Sequence, residues 1–206
     1  MKYAFRKSLI FGAALIAAAA LSAVNAVAAP NNILYTSLGP NGQFYNNGIF
    51  VSGSGYSNSV YGFQFTTPGQ ANMTNVQLPL STWQSQDNNP ISLYLEAGTG
   101  GDGGQPQTII TQLTQVGSIP SQPGLVTFTC SQNCALQANT AYWIVAVQTD
   151  PNSQDVWWWA YNNPWGYGAT NSSGSPTGPW NLIYGPVSGF QVNGVYITRC
   201  TNCSTR

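Results

Sequence analysis

Tyr142-Trp143-Ile144-Val145-Ala146-Val147 is the stretch whose reading decides the fold. It is apolar on both faces of an extended chain, and a turn-like Asp150-Pro151-Asn152 follows it. Such a run suits a central strand covered on both sides, or a core strand with a second, satellite cluster behind it. Working outward, Tyr61, Phe63 and Phe65 alternate with Gly62, Gln64 and Thr66, and Val126 and Phe128 alternate with Thr127 and Thr129. That period of two marks strands with one buried face. In the last run, Phe190 and Val192 share one parity and Val195 and Ile197 the other, with Gly194 between them. A β-bulge at Gly194 would restore the facing.

No segment after Pro30 sustains a helical period. Short apolar or alternating runs recur instead, separated by Gly, Pro, Asn or Ser. They predict strands over Ile33–Leu38, Gln43–Val51, Val60–Thr66, Thr74–Leu80, Ile91–Ala97, Thr108–Val116, Leu125–Cys130, Ala141–Thr149, Asp155–Tyr161, Trp180–Tyr184 and Phe190–Thr198. Many short strands with glycine- and proline-rich turns predict an all-β fold, a two-sheet antiparallel β-sandwich of jelly-roll type.

The N-terminus carries a separate message. Lys2, Arg6 and Lys7 precede an uncharged, apolar run from Ser8 to Leu21, and Ala26-Val27-Ala28 fits the small-x-small cleavage pattern. Residues 1–28 therefore read as a secretory signal peptide and 29–206 as one exported domain. The apolar run is short for a membrane anchor, which needs roughly 20 residues. No transmembrane segment is expected in the mature chain.

Cleavage removes three of the five basic residues. Arg199 and Arg206 then stand against Asp87, Glu96, Asp102, Asp150 and Asp155, a net charge of −3. Charged residues make up 5% of the whole chain, against about 25% in ordinary domains. Two arginines near the C-terminus cannot form a basic patch, so nucleic acid is excluded as a partner. The chain has no histidine. That excludes Ser-His-Asp and Cys-His catalysis and histidine-ligated metals. So few titrating groups suit a harsh, acidic exterior, and cooperative unfolding near pH 4 would sink that expectation.

The four cysteines, Cys130, Cys134, Cys200 and Cys203, are expected to form disulfides in an exported chain. Three pairings are open. The local ones, Cys130–Cys134 and Cys200–Cys203, are favoured because each pair sits in a polar turn. A four-thiolate zinc site is the alternative, since C-x3-C and C-x2-C resemble ligand spacings.

Several phrases form a series: Tyr45-Asn46-Asn47-Gly48, Phe63-Gln64-Phe65, Asn75-Val76-Gln77-Leu78-Pro79-Leu80, Ile91-Ser92-Leu93-Tyr94, and Leu136-Gln137-Ala138-Asn139-Thr140-Ala141-Tyr142-Trp143-Ile144-Val145, followed by tryptophans at 157 to 159. In order and spacing the series resembles the "choice-of-anchor" domains of bacterial exported proteins. The resemblance covers most of Tyr45 to Trp180. It implies a β-sandwich on the outside of a bacterium, and it supplies no activity. Members usually carry a C-terminal sorting signal with an apolar helix and a basic tail. The segment Thr198 to Arg206 departs from that pattern, so the expectation is release, or retention by the domain's own binding.

Candidate chemistry is sparse. The glycines from Gly98 to Gly104 lack the lysine and following helix of a phosphate-binding loop. Glycoside hydrolysis would need two carboxyl groups, Glu96 as the acid with Asp87, Asp102 or Asp155 as its partner. The plainer reading places Asp87 and Asp102 in polar loops, and no enzyme is expected. Asp150, Asn152 and Asp155 are weak calcium candidates whose spacing matches no established loop; a solvated turn is the plainer reading. No cofactor is expected.

The most prominent feature is aromatic. Trp157, Trp158, Trp159, Tyr161, Trp165, Tyr167, Trp180 and Tyr184 crowd one region. In a strand, Trp158 points opposite to Trp157 and Trp159. One face enters the core. The other is covered by Trp165 and Tyr167 from a glycine- and proline-rich loop, or else lies open. An open face made of Trp157, Trp159, Tyr161, Trp165, Tyr167 and Trp180, with Gln154, Asn162, Asn163 and Asn171 nearby, would suit stacking on a sugar ring. The chain thus reads as a non-catalytic surface or matrix module, self-associating through poorly guarded strand edges. The alternative is a carbohydrate-binding module for a neutral polysaccharide, and the remote one a carboxylate-dependent glycoside hydrolase.

Overall fold

The structure is a computed structural model that describes residues 32–53, 55, 57–84, 91–99, 103–132, 134–148, 150 and 153–197. The expected signal peptide, Asp87, Asp102, Asn152, Cys200 and Cys203 lie outside the described residues.

The described residues form twelve strands: β1 (Asn32–Thr36), β2 (Gly48–Ser52), β3 (Val60–Thr66), β4 (Ala71–Gln84), β5 (Ile91–Gly98), β6 (Pro106–Val116), β7 (Gly124–Thr129), β8 (Ala135–Leu136), β9 (Ala141–Gln148), β10 (Val156–Asn171), β11 (Asn181–Ser188) and β12 (Gln191–Tyr196). A 3-10 turn, Pro40–Gly42, accompanies them. Every pairing is antiparallel. The all-β expectation is met.

The ladder runs β1-β12-β4-β7-β6-β5-β9-β3-β10-β11. Two long strands change partners along their length. β6 pairs with β5 through Leu113 and with β7 from Thr114 onward. β10 pairs with β2 and β4 over its first residues and with β3 and β11 over its last. Between these crossings lie two faces. Val76, Leu78, Phe128 and Val192 come from one, and Phe63, Phe65, Leu93, Leu95, Ile144 and Ala146 from the other, all in one buried cluster.

β9 is buried at every position. Tyr142, Ile144 and Ala146 enter the main core. Trp143, Val145 and Val147 form a second cluster on the opposite face with Val60 and Ala169, partly covered by Tyr94, Tyr167 and Trp180. The deciding stretch is therefore a core strand with a satellite cluster behind it.

The bulge expected at Gly194 is present, but the extra residue belongs to the neighbouring strand. Asn193 pairs with Asn75 and Gly194 with Met73, so Thr74 of β4 has no opposite number. Consequently β4, not β12, switches facing: Ala71 and Met73 are buried before the bulge, and Val76, Leu78 and Leu80 after it. β12 keeps its parity, and Ile197 is exposed. Gly194 is required where it stands, since a Cβ there would lie 2.3 Å from the Asn72 carbonyl oxygen.

Cys130 and Cys134 are joined, their Cα atoms 6.2 Å apart. Among the described residues no free cysteine remains. The bridge clips the bulge: Cys130 N–H donates to Thr74 O at 2.8 Å, and Met73 N–H donates to Cys134 O at 2.9 Å. Closing so short a loop is expected to contribute about 1–2 kcal/mol. Replacing both cysteines by alanine should lower the unfolding free energy by that amount and shift the urea midpoint down accordingly. An unchanged midpoint would show that the clip adds nothing to β4.

Candidate ligand-binding surface

The three consecutive tryptophans divide as strand geometry requires. Trp157 and Trp159 are buried core residues, paired in register with Val51 and Ile49 of β2 and with Thr82 and Leu80 of β4. Both are thereby removed from the expected open face. Trp158 points outward and is half-buried. Its ring meets Phe50 at 4.7 Å edge-on and stacks on Trp83 at 5.7 Å. Trp83 is exposed. The cover over Trp158 thus comes from β2 and β4 rather than from Trp165 and Tyr167.

Trp165 and Tyr167 do not lie in a loop. β10 continues through them to Asn171 and pairs with β11, placing Tyr167 opposite Tyr184 and Trp165 opposite Pro186. The glycines that suggested a loop instead admit close packing. A Cβ at Gly168 would sit 2.9 Å from Ile183 and 3.1 Å from Phe63, and one at Gly166 would sit 2.9 Å from Val187.

On the outer face of this hairpin the Tyr184 ring lies 5.0 Å from Tyr167 and 5.9 Å from Trp165. Trp165 is 65% and Tyr184 62% exposed. These three rings form an open strip. Trp180 is half-buried against the satellite cluster, and its indole N–H is buried without an acceptor.

The strip adjoins a groove. Between Tyr161 and Trp165 the register of β10 against β11 shifts: four steps on β10 match two on β11. Asn162, Asn163 and Pro164 fill the excess, and Pro164 has no N–H to contribute to a ladder. Tyr161 instead exchanges backbone bonds with the segment before β2, accepting from Tyr45 N–H at 2.9 Å and donating to Asn47 O at 2.6 Å. Two hollows result. One, of about 490 Å³, is lined by Gly39, Pro40, Gln43, Phe44, Tyr45 and Asn162. The other, of about 350 Å³, is lined by Tyr45, Asn47, Tyr161, Asn162 and Pro186. They share Tyr45 and Asn162, and Pro186 links the second to Trp165. Among the described residues, neither lining contains a charged side chain. The Asn162 amide donates to Ser37 O, which fixes the shared wall.

The remaining candidates fall elsewhere. Asn171 is committed to its own turn: its amide donates to Ser175 O at 2.9 Å, and its carbonyl accepts from Ser173. Gln154 is exposed ahead of β10. Asp155 is fully buried, and its N–H donates to Ser153 Oγ; Asp150 accepts from Ser153 N–H through its carbonyl oxygen. Among the described residues no group of three His, Cys, Asp or Glu side chains could hold a metal ion. No helix of the described residues is long and apolar enough to cross a membrane.

Glu96 is the exceptional polar residue. It lies on β5 opposite Trp143 of β9, fully buried. Neither carboxyl oxygen has a hydrogen-bond partner, and neither does the Trp143 indole N–H. Burial pushes its pKa up to about 8, because desolvation disfavours the charged form. It lines neither hollow.

Tyr45 and Trp83 were not among the aromatic site residues expected from the sequence. Tyr45 precedes a strand and is held by Tyr161, a pairing with no local signal. Trp83 lies beyond the expected end of β4, although the extended pattern runs on through Ser81 and Thr82.

The chain matches no protein-family model and no curated protein. Fold and site together define an all-β, antiparallel domain with an aromatic strip beside two hollows whose described lining is uncharged.

Proposed function

We propose that this is an exported, non-catalytic β-sandwich module of jelly-roll type that acts at a bacterial surface or in its matrix by binding a neutral polysaccharide. The observation that carries the reading is the open Trp165–Tyr184–Tyr167 strip beside the uncharged Tyr45–Asn162 groove. Apolar ring faces with a few placed amides and hydroxyls are what a sugar ring needs, with its CH face and hydroxyl rim. A charged ligand would find no counter-charge in either hollow. Export is supported by the charge and hydropathy pattern of residues 1–28 and by the resemblance to choice-of-anchor domains.

The test is retention of the mature domain, residues 29–206, on a panel of insoluble polysaccharides, with tryptophan fluorescence followed in parallel. Retention on one polymer is expected, with a shifted emission spectrum. Trp165→Ala and Tyr184→Ala should each weaken it by at least about tenfold, as for anchoring aromatics in other interfaces. Retention on no polymer, or retention indifferent to both substitutions, would refute the reading.

A further inference from the structure

We propose that β11 is the contact through which two copies of this domain join, edge to edge, about a two-fold axis perpendicular to the sheet. β11 ends the ladder and, among the described residues, pairs only with β10. In an edge strand every second residue turns its N–H and C=O away from the sheet, a template for another strand.

Three observations single out this edge and this occupant. First, Asn181–Tyr184 are exposed at every position, so both faces of the strand overhang the core. Leu182 and Tyr184 lie on the outer face, at 47% and 62% exposure, and Ile183 on the inner face at 42%. An apolar inner residue that exposed is what a continuing sheet would cover. Second, the usual guards are missing. β11 contains no charged residue, and its one proline, Pro186, leaves Asn181–Gly185 able to pair. The opposite edge is better protected, because β1 has only five residues and a register shift at Leu34, which twists an edge away from partners. Third, the strand complements itself. Antiparallel pairing centred on Ile183 sets Ile183 against its own copy on the inner face. It also sets Leu182 against Tyr184 on the outer face, with no like charges opposed.

Edge pairing over about five residues is a small contact and specifies a reversible dimer rather than a permanent one. It runs in the plane of the sheet, so the ring faces of the aromatic strip stay open. Two strips then lie on one continuous surface, and a polymer reaching both would gain avidity without any new contact.

Sedimentation of the mature domain without polysaccharide tests this independently of the sugar reading. A concentration-dependent monomer–dimer equilibrium is expected. Ile183→Lys should weaken it at least about tenfold while the variant still unfolds in one cooperative transition, since the lysine stem can keep the packing over Gly168 and carry its charge to solvent. Ile183→Cys should cross-link to itself on oxidation, and Ile109→Cys, on exposed β6, should not. A monomer at the highest soluble concentration would overturn the proposal. So would a dimer that Ile183→Lys leaves intact, or equal cross-linking at both positions. If the Ile183→Lys monomer still binds polymer, the two sites are separate; if the dimer forms and no polymer is retained, only the polysaccharide reading falls.

Discussion

Glu96→Gln should abolish a fall in stability that the parent domain shows between pH 4 and pH 8. The sign follows from linkage. Glu96 has its folded pKa raised to about 8, whereas an unfolded glutamate ionises near 4.3. Between those values the folded state keeps a proton that the unfolded state has lost. Stability therefore declines as pH rises through the interval. The contribution is fully present below the unfolded pKa and is lost by the time pH passes the folded one. Allowing for partial solvent screening, the decline is on the order of 2–4 kcal/mol. A glutamine carries the same shape without a titrating proton, so its midpoint should lack the slope that Glu96 gives the parent. Urea unfolding of both proteins at pH 4, 6 and 8 decides the matter. Comparing the two cancels what every other carboxylate contributes, and parallel curves would show that Glu96 does not titrate in the interval. The same physics explains why mild acid should suit this domain, in keeping with a surface almost free of titrating groups.

Trp159→Ala is expected to cost about 3–5 kcal/mol, and Trp158→Ala about 1 kcal/mol or less. The two residues are neighbours in sequence and opposites in environment. Trp159 is fully buried, meets Phe63 edge-on at 5.0 Å and Phe190 at 6.5 Å, and donates from Nε1 to Gly189 O at 2.9 Å. Truncation opens a cavity lined by both sheet faces and strands a buried carbonyl. Trp158 loses its ring contacts with Phe50 and Trp83 at the surface. Denaturant midpoints for the two variants measure the contrast. Equal losses would mean that the outward trio of rings is as structural as the core.

The class of fold was legible because strands with one buried face announce themselves by alternation. Val126 and Phe128 of β7 are buried as their parity required, whereas β3 is buried on both faces, Gln64 along with Phe63 and Phe65. The doubly apolar run of β9 was likewise informative, since both of its faces are covered. Pattern failed where tertiary contacts overrule local chemistry. Pro164, Gly166 and Gly168 look like breakers, yet two of them are gaps left for Ile183 and Val187, and β10 runs sixteen residues through them. The parity change in the final strand was visible, but the residue responsible, Thr74, lies on β4, and only the pairing reveals it. For the candidate site, the aromatic cluster stood out, and the alternation of Trp157 to Trp159 forecast that one side would be core. Which side stays open depends on distant Phe50 and Trp83. The groove depends on Tyr45 meeting Tyr161 across more than half of the chain.

The pairing of β1 with β12 has a mechanical consequence. Asn32 at the start of one strand faces Gly194 near the end of the other, so the first and last described strands meet at their outer ends. A pull on those two ends would load the joining hydrogen bonds one after another, as a zip opens, rather than all at once in shear. Such a module should yield at low force by peeling its first described strand, while β6 and β10, each passing from one set of partner strands to another, hold the remainder together.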